Sequence, residues 1–412
     1  MATFITPVDV TPGTADAWID VDLSAYVPAG TTGVILRFTT TGSPYGYRAV
    51  GARQNGSTDT YNGGIFASAQ FWTVSGVDAN RVCECYIDHL TECDVWLVGC
   101  FGSEAVFFEN AIAKTLGGIY SWQDVDISGD TGADTAVAAF FDLTGRKGLR
   151  KNGSTDDRFG ASDDHFAAMV GLDASEICEI IGSSSTGIAL LGYMTSGVTM
   201  NTNGTDVSIA DTSQYVDLAA LPEGGIGAII EIAGGGYASY FNLRKNGTAE
   251  DIQKNPAGAG HAWALVEADG SRVIEARITD AALDMFLVGY FANPPDPAIT
   301  LLNPDHGAIG DSVVITGTTF EAAQGTGGVT FNGVPATVTA WSDTSITVTV
   351  PVGATTGDVV VTNNTGDASA AGSTWTLDPP PPAATGGAIP LLGGQLHLLG
   401  TDAVLGHPPV RG

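Results

Sequence analysis

Short runs of apolar and polar residues, with turn-forming residues between them, are the main pattern of the chain. Trp18–Leu23 alternates apolar and acidic side chains, and Val34–Phe38 is a brief, mostly apolar run rich in branched and aromatic residues. Patterns with the period of a helix are almost absent. The sequence therefore predicts an all-β protein whose short strands form tandem β-sandwich domains.

An Arg-x-Asn-Gly motif occurs three times, at Arg53–Gly56, Arg150–Gly153 and Arg244–Gly247. The copies lie roughly 95 residues apart, a spacing typical of tandem domains and too long for a solenoid unit. An Asn-Gly pair between β-prone segments indicates a two-residue hairpin, because both central residues of that turn have positive φ. We therefore expect equivalent hairpin turns at Asn55, Gly56, Asn152, Gly153, Asn246 and Gly247.

The strand patterns around these motifs repeat in the same order. Each copy closes with an apolar strand that contains a glycine followed by a bulky residue, and these glycines are Gly99, Gly192 and Gly289. A glycine inside such a strand indicates a bulge or a close backbone approach. We expect three homologous β-sandwich repeats, at residues 1–108, 109–203 and 204–293.

Three segments vary between matched strands: Thr60–Gln70, Asp157–His165 and Ala249–His261. Variable loops on a common scaffold are where we would look first for a ligand, either a glycan or calcium. Tyr45, Tyr47 and Tyr61 would stack on sugars if they are exposed.

A different module follows the proline-rich linker Asn293–Pro297. Its successive motifs are Pro304–Gly307, Ile315–Phe320, Phe331–Gly333, Val350–Pro351 and a strand from Gly357. This order resembles the immunoglobulin-like IPT/TIG family. The resemblance implies an Ig-like domain at residues 297–378 and says little about activity, because such modules serve as spacers and as recognition domains.

A proline linker and an apolar, Gly- and Leu-rich tail make up residues 379–412. We interpret the tail as a peptide that docks on a partner subunit, with simple disorder as the alternative. The residues expected to dock are Ile389, Leu391, Leu392, Leu396, Leu398 and Leu399.

The formal net charge of −29 argues against a nucleic acid or an anionic membrane as partner, because only 16 residues are Lys or Arg. Neither a secretory signal nor an apolar run of membrane-spanning length is visible. One basic cluster surrounds the second Asn-Gly turn, and we expect it to be a solvated hairpin, with docking onto an acidic neighbour as the alternative. It consists of Arg146, Lys147, Arg150 and Lys151.

The five cysteines show neither a disulfide framework nor paired zinc knuckles. Cys83 matches Cys178 of the second repeat and Ile274 of the third, so we expect a small buried side chain there. The spacing leaves open a disulfide from Cys85 to Cys93 or Cys100. No metal site is predicted.

Motifs for phosphate binding, serine hydrolases and zinc proteases are missing from the sequence. His165 and His261 precede matched strands, which indicates a structural role rather than a catalytic base. The paired acids Asp20 and Asp22, repeated as Asp124 and Asp126, indicate a solvated edge strand more than a calcium site. We therefore expect neither an enzyme nor a cofactor.

Tandem β-modules with an IPT/TIG-like domain are similar in style to the structural proteins of tailed-bacteriophage virions. The first hypothesis is a capsid decoration protein, head fibre or tail fibre, assembled in the host cytoplasm. Its partners would be capsid, portal or tail proteins and further copies of itself. The alternative is an adhesin or carbohydrate-binding protein of the bacterial cell surface, which would bind a host-surface glycan.

Overall fold

The computed structural model describes residues 1–42, 46–66, 68–160, 165–210, 214–234, 239–252, 254–256, 261–293, 296–363 and 367–379. The chain divides into two compact units, Met1–Pro294 and Pro295–Gly412. Within the described residues every regular element is a β-strand, so the all-β prediction is confirmed. These residues contain no helix with the length and apolarity needed to cross a membrane.

The first repeat is a sandwich of two antiparallel sheets, ordered β1-β8-β3-β6 and β2-β7-β4-β5. The run Gly33–Thr40 is buried along its whole length and becomes a central strand, whereas Val82–Ile87 alternates buried and half-buried residues. The strands are β1 (Thr3–Asp9), β2 (Ala17–Asp22), β3 (Gly33–Thr40), β4 (Tyr47–Gln54), β5 (Gly63–Phe66), β6 (Ala69–Gly76), β7 (Val82–Ile87) and β8 (Cys93–Phe101).

The second and third repeats follow the same plan. Their sheets are β13-β11-β15-β9 with β10-β14-β12, and β16-β23-β18-β21 with β17-β22-β19. The second repeat contains β9 (Ala105–Lys114), β10 (Gln123–Asp126), β11 (Ala138–Thr144), β12 (Lys147–Lys151), β13 (His165–Gly171), β14 (Ile177–Gly182) and β15 (Ile188–Met194). The third contains β16 (Val198–Asp206), β17 (Val216–Asp217), β18 (Gly225–Gly234), β19 (Phe241–Lys245), β20 (Asn255–Pro256), β21 (His261–Glu267), β22 (Ile274–Ile278) and β23 (Leu283–Ala292).

The boundaries between repeats lie earlier than the sequence predicts. The predicted junctions after residues 108 and 203 fall inside β9 and β16, which pair with β15 and β23 respectively. Each of these strands therefore opens the repeat that follows it. We take the repeats as residues 1–103, 104–196 and 197–293.

The predicted special role of the three closing-strand glycines is confirmed. In each repeat one residue bulges just before the glycine: β3 pairs Ile35 with Gly99 but the next residue with Leu97, and the same shift recurs in the other two repeats. The first strand of the repeat also approaches the glycine closely. A Cβ on Gly192 would lie 2.2 Å from the carbonyl oxygen of Val106.

The second unit is a separate sandwich with its own core. Its sheets are ordered β24-β26-β30-β29 and β25-β32-β31-β27-β28, around the buried side chains of Phe320, Phe331 and Trp375. The strands are β24 (Ala298–Asn303), β25 (His306–Gly307), β26 (Ser312–Thr318), β27 (Gly328–Phe331), β28 (Val334–Pro335), β29 (Thr337–Trp341), β30 (Ser345–Thr349), β31 (Gly357–Thr362) and β32 (Thr374–Leu377).

Candidate functional site

The Asn-Gly motifs form turns in all three repeats, but the prediction that they close two-residue hairpins is wrong. Gly56 has a φ of 85°, Asn55 has no positive φ, and the N–H of Ser57 bonds to the carbonyl of Gln54 at 3.1 Å. This is the pattern of a type II turn. The turn begins a longer loop and does not join two paired strand ends, because β4 pairs with β5 only over Tyr47–Val50 and Gly63–Phe66.

The arginine of each motif holds this loop against the sheet. Arg150 bonds through Nε to Glu179 at 2.9 Å and through Nη1 to the carbonyl of Asp156 at 2.6 Å, and its guanidinium lies 4.2 Å from the ring centre of Trp122. Arg53 and Arg244 make the equivalent contacts. The position requires arginine, because its planar guanidinium can form the ion pair, donate to the carbonyl and stack on the ring at the same time.

The asparagine of each motif bonds to an aspartate that organises the next turn. Asn152 donates to Asp173 at 2.7 Å, and Asp173 also accepts the N–H groups of Ser175 and Ile177. Burial acts to raise the pKa of Asp173, but these hydrogen bonds outweigh it and lower the pKa. Asn55 with Asp78 and Asn246 with Asp269 repeat the arrangement. The motif is therefore a structural device of each sandwich.

Three matched side chains join the repeats to one another. Because β3, β11 and β18 pair with β6, β13 and β21 in the same register, Gln70, His165 and His261 occupy equivalent positions. Gln70 donates to the carbonyl of Phe241 at 2.9 Å, and His261 Nδ1 lies 3.0 Å from the carbonyl oxygen of Lys147. His165 Nδ1 accepts the N–H of Gly63 at 3.0 Å.

These contacts all run in one sense: the second repeat reaches the first, the third reaches the second, and the first reaches the third. β6, β13 and β21 also contact one another. In contacts of this kind, one surface of each repeat binds a different surface of the next repeat. Such contacts form a closed ring when the rotation from repeat to repeat brings the third repeat back to the first. We call the interfaces the first–second, second–third and third–first seams.

A second set of equivalent residues interlocks in the same sense. Phe4, Phe107 and Met200 lie opposite the bulge glycines of their own repeats and project onto glycines of the neighbouring repeat. A Cβ on Gly33 would lie 2.1 Å from the ring of Phe107, on Gly171 2.5 Å from Met200, and on Gly227 2.2 Å from Phe4. One continuous hydrophobic cluster accordingly extends from Ala2 to Phe291.

The buried charges differ from seam to seam. Arg37, Asp142 and Glu231 are equivalent by register, yet Arg37 pairs with Glu250 of the third repeat and Glu231 pairs with Arg158 of the second at 2.7 Å. Asp142 pairs with His165 at 2.7 Å. Tyr61 lies beside Asp142 in the first–second seam. Its pKa is raised, first by burial and then by the charges of Asp59 and Asp142.

His165 and His261 therefore lie where repeat architecture puts them, but each also has a carboxylate partner that the sequence interpretation missed. His261 Nε2 lies 2.7 Å from Glu231. Burial acts to lower the pKa of His165 and the charge of Asp142 acts to raise it, with a raised pKa as the result. The missed signal was an acid at the same position of β11 and β18.

The basic cluster of the second repeat is not a solvated hairpin. Lys147 is fully buried and donates to the carbonyl of Thr144 at 3.0 Å, and the guanidinium of Arg146 lies 4.8 Å from the ring centre of Phe159. The prediction failed because β12 lies within the sandwich, so hydrogen bonds and ring contacts replace water around its cations.

All five cysteines are buried with free thiols. Cys83 and Cys178 pair with Val21 and Val125 in matched strands, and burial raises the pKa of Cys178 to about 12. The described residues contain no cluster of metal-ligating side chains. Asp20, Asp22, Asp124 and Asp126 are exposed on edge strands, as expected.

The described parts of the variable loops lie at the seams. Asp157–His165 supplies Arg158, Ala249–His261 supplies Glu250 and β20, and β20 pairs in parallel with β6 of the first repeat. Tyr47 is 53% exposed, whereas Tyr45 lies outside the described residues. The predicted docking residues Ile389, Leu391, Leu392, Leu396, Leu398 and Leu399 also lie outside them.

Comparison with protein families matches residues 297–376 to the IPT/TIG domain, so this segment is an IPT/TIG domain. No relative was found among curated proteins. The solved structures that match include Gamma-CGTase from alkalophilic Bacillus clarkii, with 17% identity and a TM-score of 0.19. The match covers 43% of this chain and 26% of that protein, and it is too weak to bear on fold or function.

Proposed function

We propose that this chain is a non-enzymatic structural protein of a bacteriophage virion, of the capsid decoration, head fibre or tail fibre type. The ring closure carries the proposal: the first repeat contacts the third through Gln70 and Phe4 as the second contacts the first. A single chain thereby builds a body with approximate threefold symmetry. Such a body offers three similar faces, which suits a threefold position in a symmetric particle.

The use of ionisable side chains supports a structural role over catalysis. His165, His261, Arg37 and Arg158 are each occupied by a carboxylate within or across a seam. The two arginine pairs tie neighbouring repeats together, and the two histidine pairs hold the imidazoles that bond across the seams. The IPT/TIG domain then serves as a spacer or recognition module, and the apolar tail as the contact with a capsid, portal or tail protein.

The test is incorporation into particles. The full chain and a chain ending at Asp378, both tagged, would be expressed during phage production and followed through density-gradient purification of the particles. We expect the full chain to sediment with particles and the shortened chain to stay soluble, folded and unincorporated. A full-length chain in which Pro379–Pro382 is replaced by Gly-Ser controls for the linker.

Two outcomes count against the proposal. A full chain that never sediments with particles would reject the virion role, and normal incorporation of the shortened chain would reject the tail as anchor.

A further inference from the structure

The third–first seam contains a cleft of about 420 Å³ that the other two seams lack. Residues of both repeats line it, and the ones that matter chemically are Arg37, Trp72, Trp96, Arg244, Lys245 and Glu250. The equivalent positions at the second–third and first–second seams enclose only about 20 Å³ each. The open cleft is therefore specific to the third–first seam, because the equivalent position is closed at the other two seams.

The two closed seams share an asparagine clasp. Asn203 Oδ1 accepts the N–H of Thr155 at 2.8 Å, and Gly204 N–H donates to Asp156 at 2.7 Å. At the first–second seam, Asn110 and Ala111 make the same bonds to Thr58 and Asp59, at 2.8 and 2.6 Å. Each clasp ties the first strand of one repeat to the Asn-Gly loop of the preceding repeat.

The first strand of the first repeat cannot form this clasp. In β9, the four residues Phe108–Ala111 separate the residue opposite the bulge glycine from the next paired residue. In β1, only the three residues Ile5–Pro7 separate them. Pro7 carries neither a side-chain amide nor a backbone N–H. The loop around Glu250 therefore has no clasp, and it bonds to Arg37 instead.

At the second–third seam the corresponding space is filled by Arg158. Its guanidinium lies 4.0 Å from the ring centre of Phe286 and pairs with Glu231 and Asp156. The register places Trp96 of the first repeat where the third repeat has Phe286. In the cleft, no arginine from the neighbouring loop covers that aromatic position, because Ile252 stands where the second repeat has Arg158.

The cleft also holds an incompletely bonded cation. Arg37 is only 2% exposed, its Nη2 pairs with Glu250, and its Nε has no hydrogen-bond partner among the described residues. A buried N–H without a partner is costly, so a ligand atom that accepts a hydrogen bond would be favoured there. Three basic and two acidic side chains line the cleft, in a chain whose net charge is −29.

We propose that this cleft binds one saccharide unit of a glycan. The apolar C–H face of a sugar ring packs on the half-buried indole of Trp96, and a hydroxyl donates to Glu250. A sugar oxygen accepts from Arg37 Nε once Arg37 and the buried Trp72 shift to admit it. Concave sites with aromatic walls and a few convergent polar groups are typical of small-ligand binding. The proposal is independent of the virion role, since glycan binding and particle incorporation are measured separately.

The experiment uses the full chain on an array of neutral and acidic oligosaccharides that includes cellotetraose and tetragalacturonate, followed by calorimetric titration of the bound ones. Thr6→Trp fills the cleft from an exposed rim position, and Glu109→Trp places the same side chain on the exposed rim of the closed first–second seam. Trp96→Ala removes one aromatic wall.

We expect Thr6→Trp and Trp96→Ala to weaken binding at least tenfold, and Glu109→Trp to bind like the wild type, with all three variants keeping the wild-type circular dichroism spectrum. Binding that distinguishes acidic from neutral sugars identifies the group that meets Arg37. No binding across the array, or wild-type binding by Thr6→Trp, would overturn the proposal. If Trp96→Ala loses its fold, the exposed pair Thr6→Trp and Glu109→Trp still decides.

Discussion

Gln70 of the first repeat donates its side-chain N–H to the backbone carbonyl of Phe241 in the third repeat, at a distance of 2.9 Å. Gln70 is fully buried, and the bond links residues 171 positions apart. It takes the place of the histidine contacts at the other two seams. A glutamine suits this seam because the equivalent of Asp142 and Glu231 is Arg37, a cation that would repel an imidazolium.

Replacing Gln70 by leucine is expected to destabilise the first unit by about 0.5–1.5 kcal/mol, because the carbonyl of Phe241 loses one of its two donors and keeps only the N–H of Lys254 at 3.2 Å. The free energy of unfolding in urea measures the loss. Gln123→Leu is the matched control, since the amide of Gln123 bonds to the neighbouring Ser121 and Trp122 and makes no bond across a seam among the described residues. An equal effect from both variants would mean that the seam contact contributes nothing special.

His165 is expected to make the stability of the first unit depend on pH. Its pKa is raised in the folded protein, and the groups that face it are Asp142, the N–H of Gly63, the carbonyl of Val50 and the ring of Phe71. A histidine whose pKa is raised on folding stabilises the folded state. This contribution is complete below the pKa of the unfolded state, about 6.5, and is lost as the pH rises through the pKa of the folded state.

The His165→Gln variant should lack this contribution. We therefore expect the stability advantage of the wild type over His165→Gln to be larger near pH 6 than near pH 8, as measured by urea unfolding followed by tryptophan fluorescence. His306→Gln serves as the control, because His306 is exposed and belongs to the second unit. A difference between wild type and variant that does not change with pH would contradict the prediction.

The local parts of this structure could be predicted from sequence. The bulges at Gly99, Gly192 and Gly289 follow from a glycine inside an apolar strand, and the edge strand with Asp20 and Asp22 follows from alternation. These features depend on neighbouring residues or on one paired strand. For the same reason the IPT/TIG domain, whose motifs are local turns and strand starts, was visible in the sequence.

The ring was not predictable in the same way. Its contacts join residues far apart in the chain, such as Phe107 with Gly33, and no local pattern states which repeat a side chain faces. The prediction that Lys147 is solvated failed for the same reason, since charge alone suggests exposure and the structure buries the side chain. One clue was present: an acid stands at matched positions of the two strands that precede His165 and His261.

Gly192→Ala is expected to destabilise the first unit by about 1–3 kcal/mol, the usual cost of overpacking a well-packed site. The new Cβ would lie 2.2 Å from the carbonyl oxygen of Val106, a backbone atom that cannot rotate away. Gly129→Ala is the control, since a Cβ there meets nothing within 4 Å and the backbone has no positive φ. A midpoint of thermal unfolding that is unchanged in Gly192→Ala would show that the bulge tolerates a side chain.

Removal of the first repeat tests whether the three sandwiches are a closed ring or independent beads. In the fragment 104–293, Gly227 loses the ring of Phe4, and Phe241 loses the donor Gln70. Gly33 and Gly76 leave with the first repeat, which exposes Phe107. Exposed apolar seams favour association or partial unfolding.

We therefore expect residues 1–293 to be monomeric and to unfold in one cooperative transition, and 104–293 to aggregate or to unfold over a broad range. Light scattering and calorimetry distinguish the two. A monomeric, cooperatively folded 104–293 would show that each sandwich is stable without its neighbours and that the ring contacts are incidental.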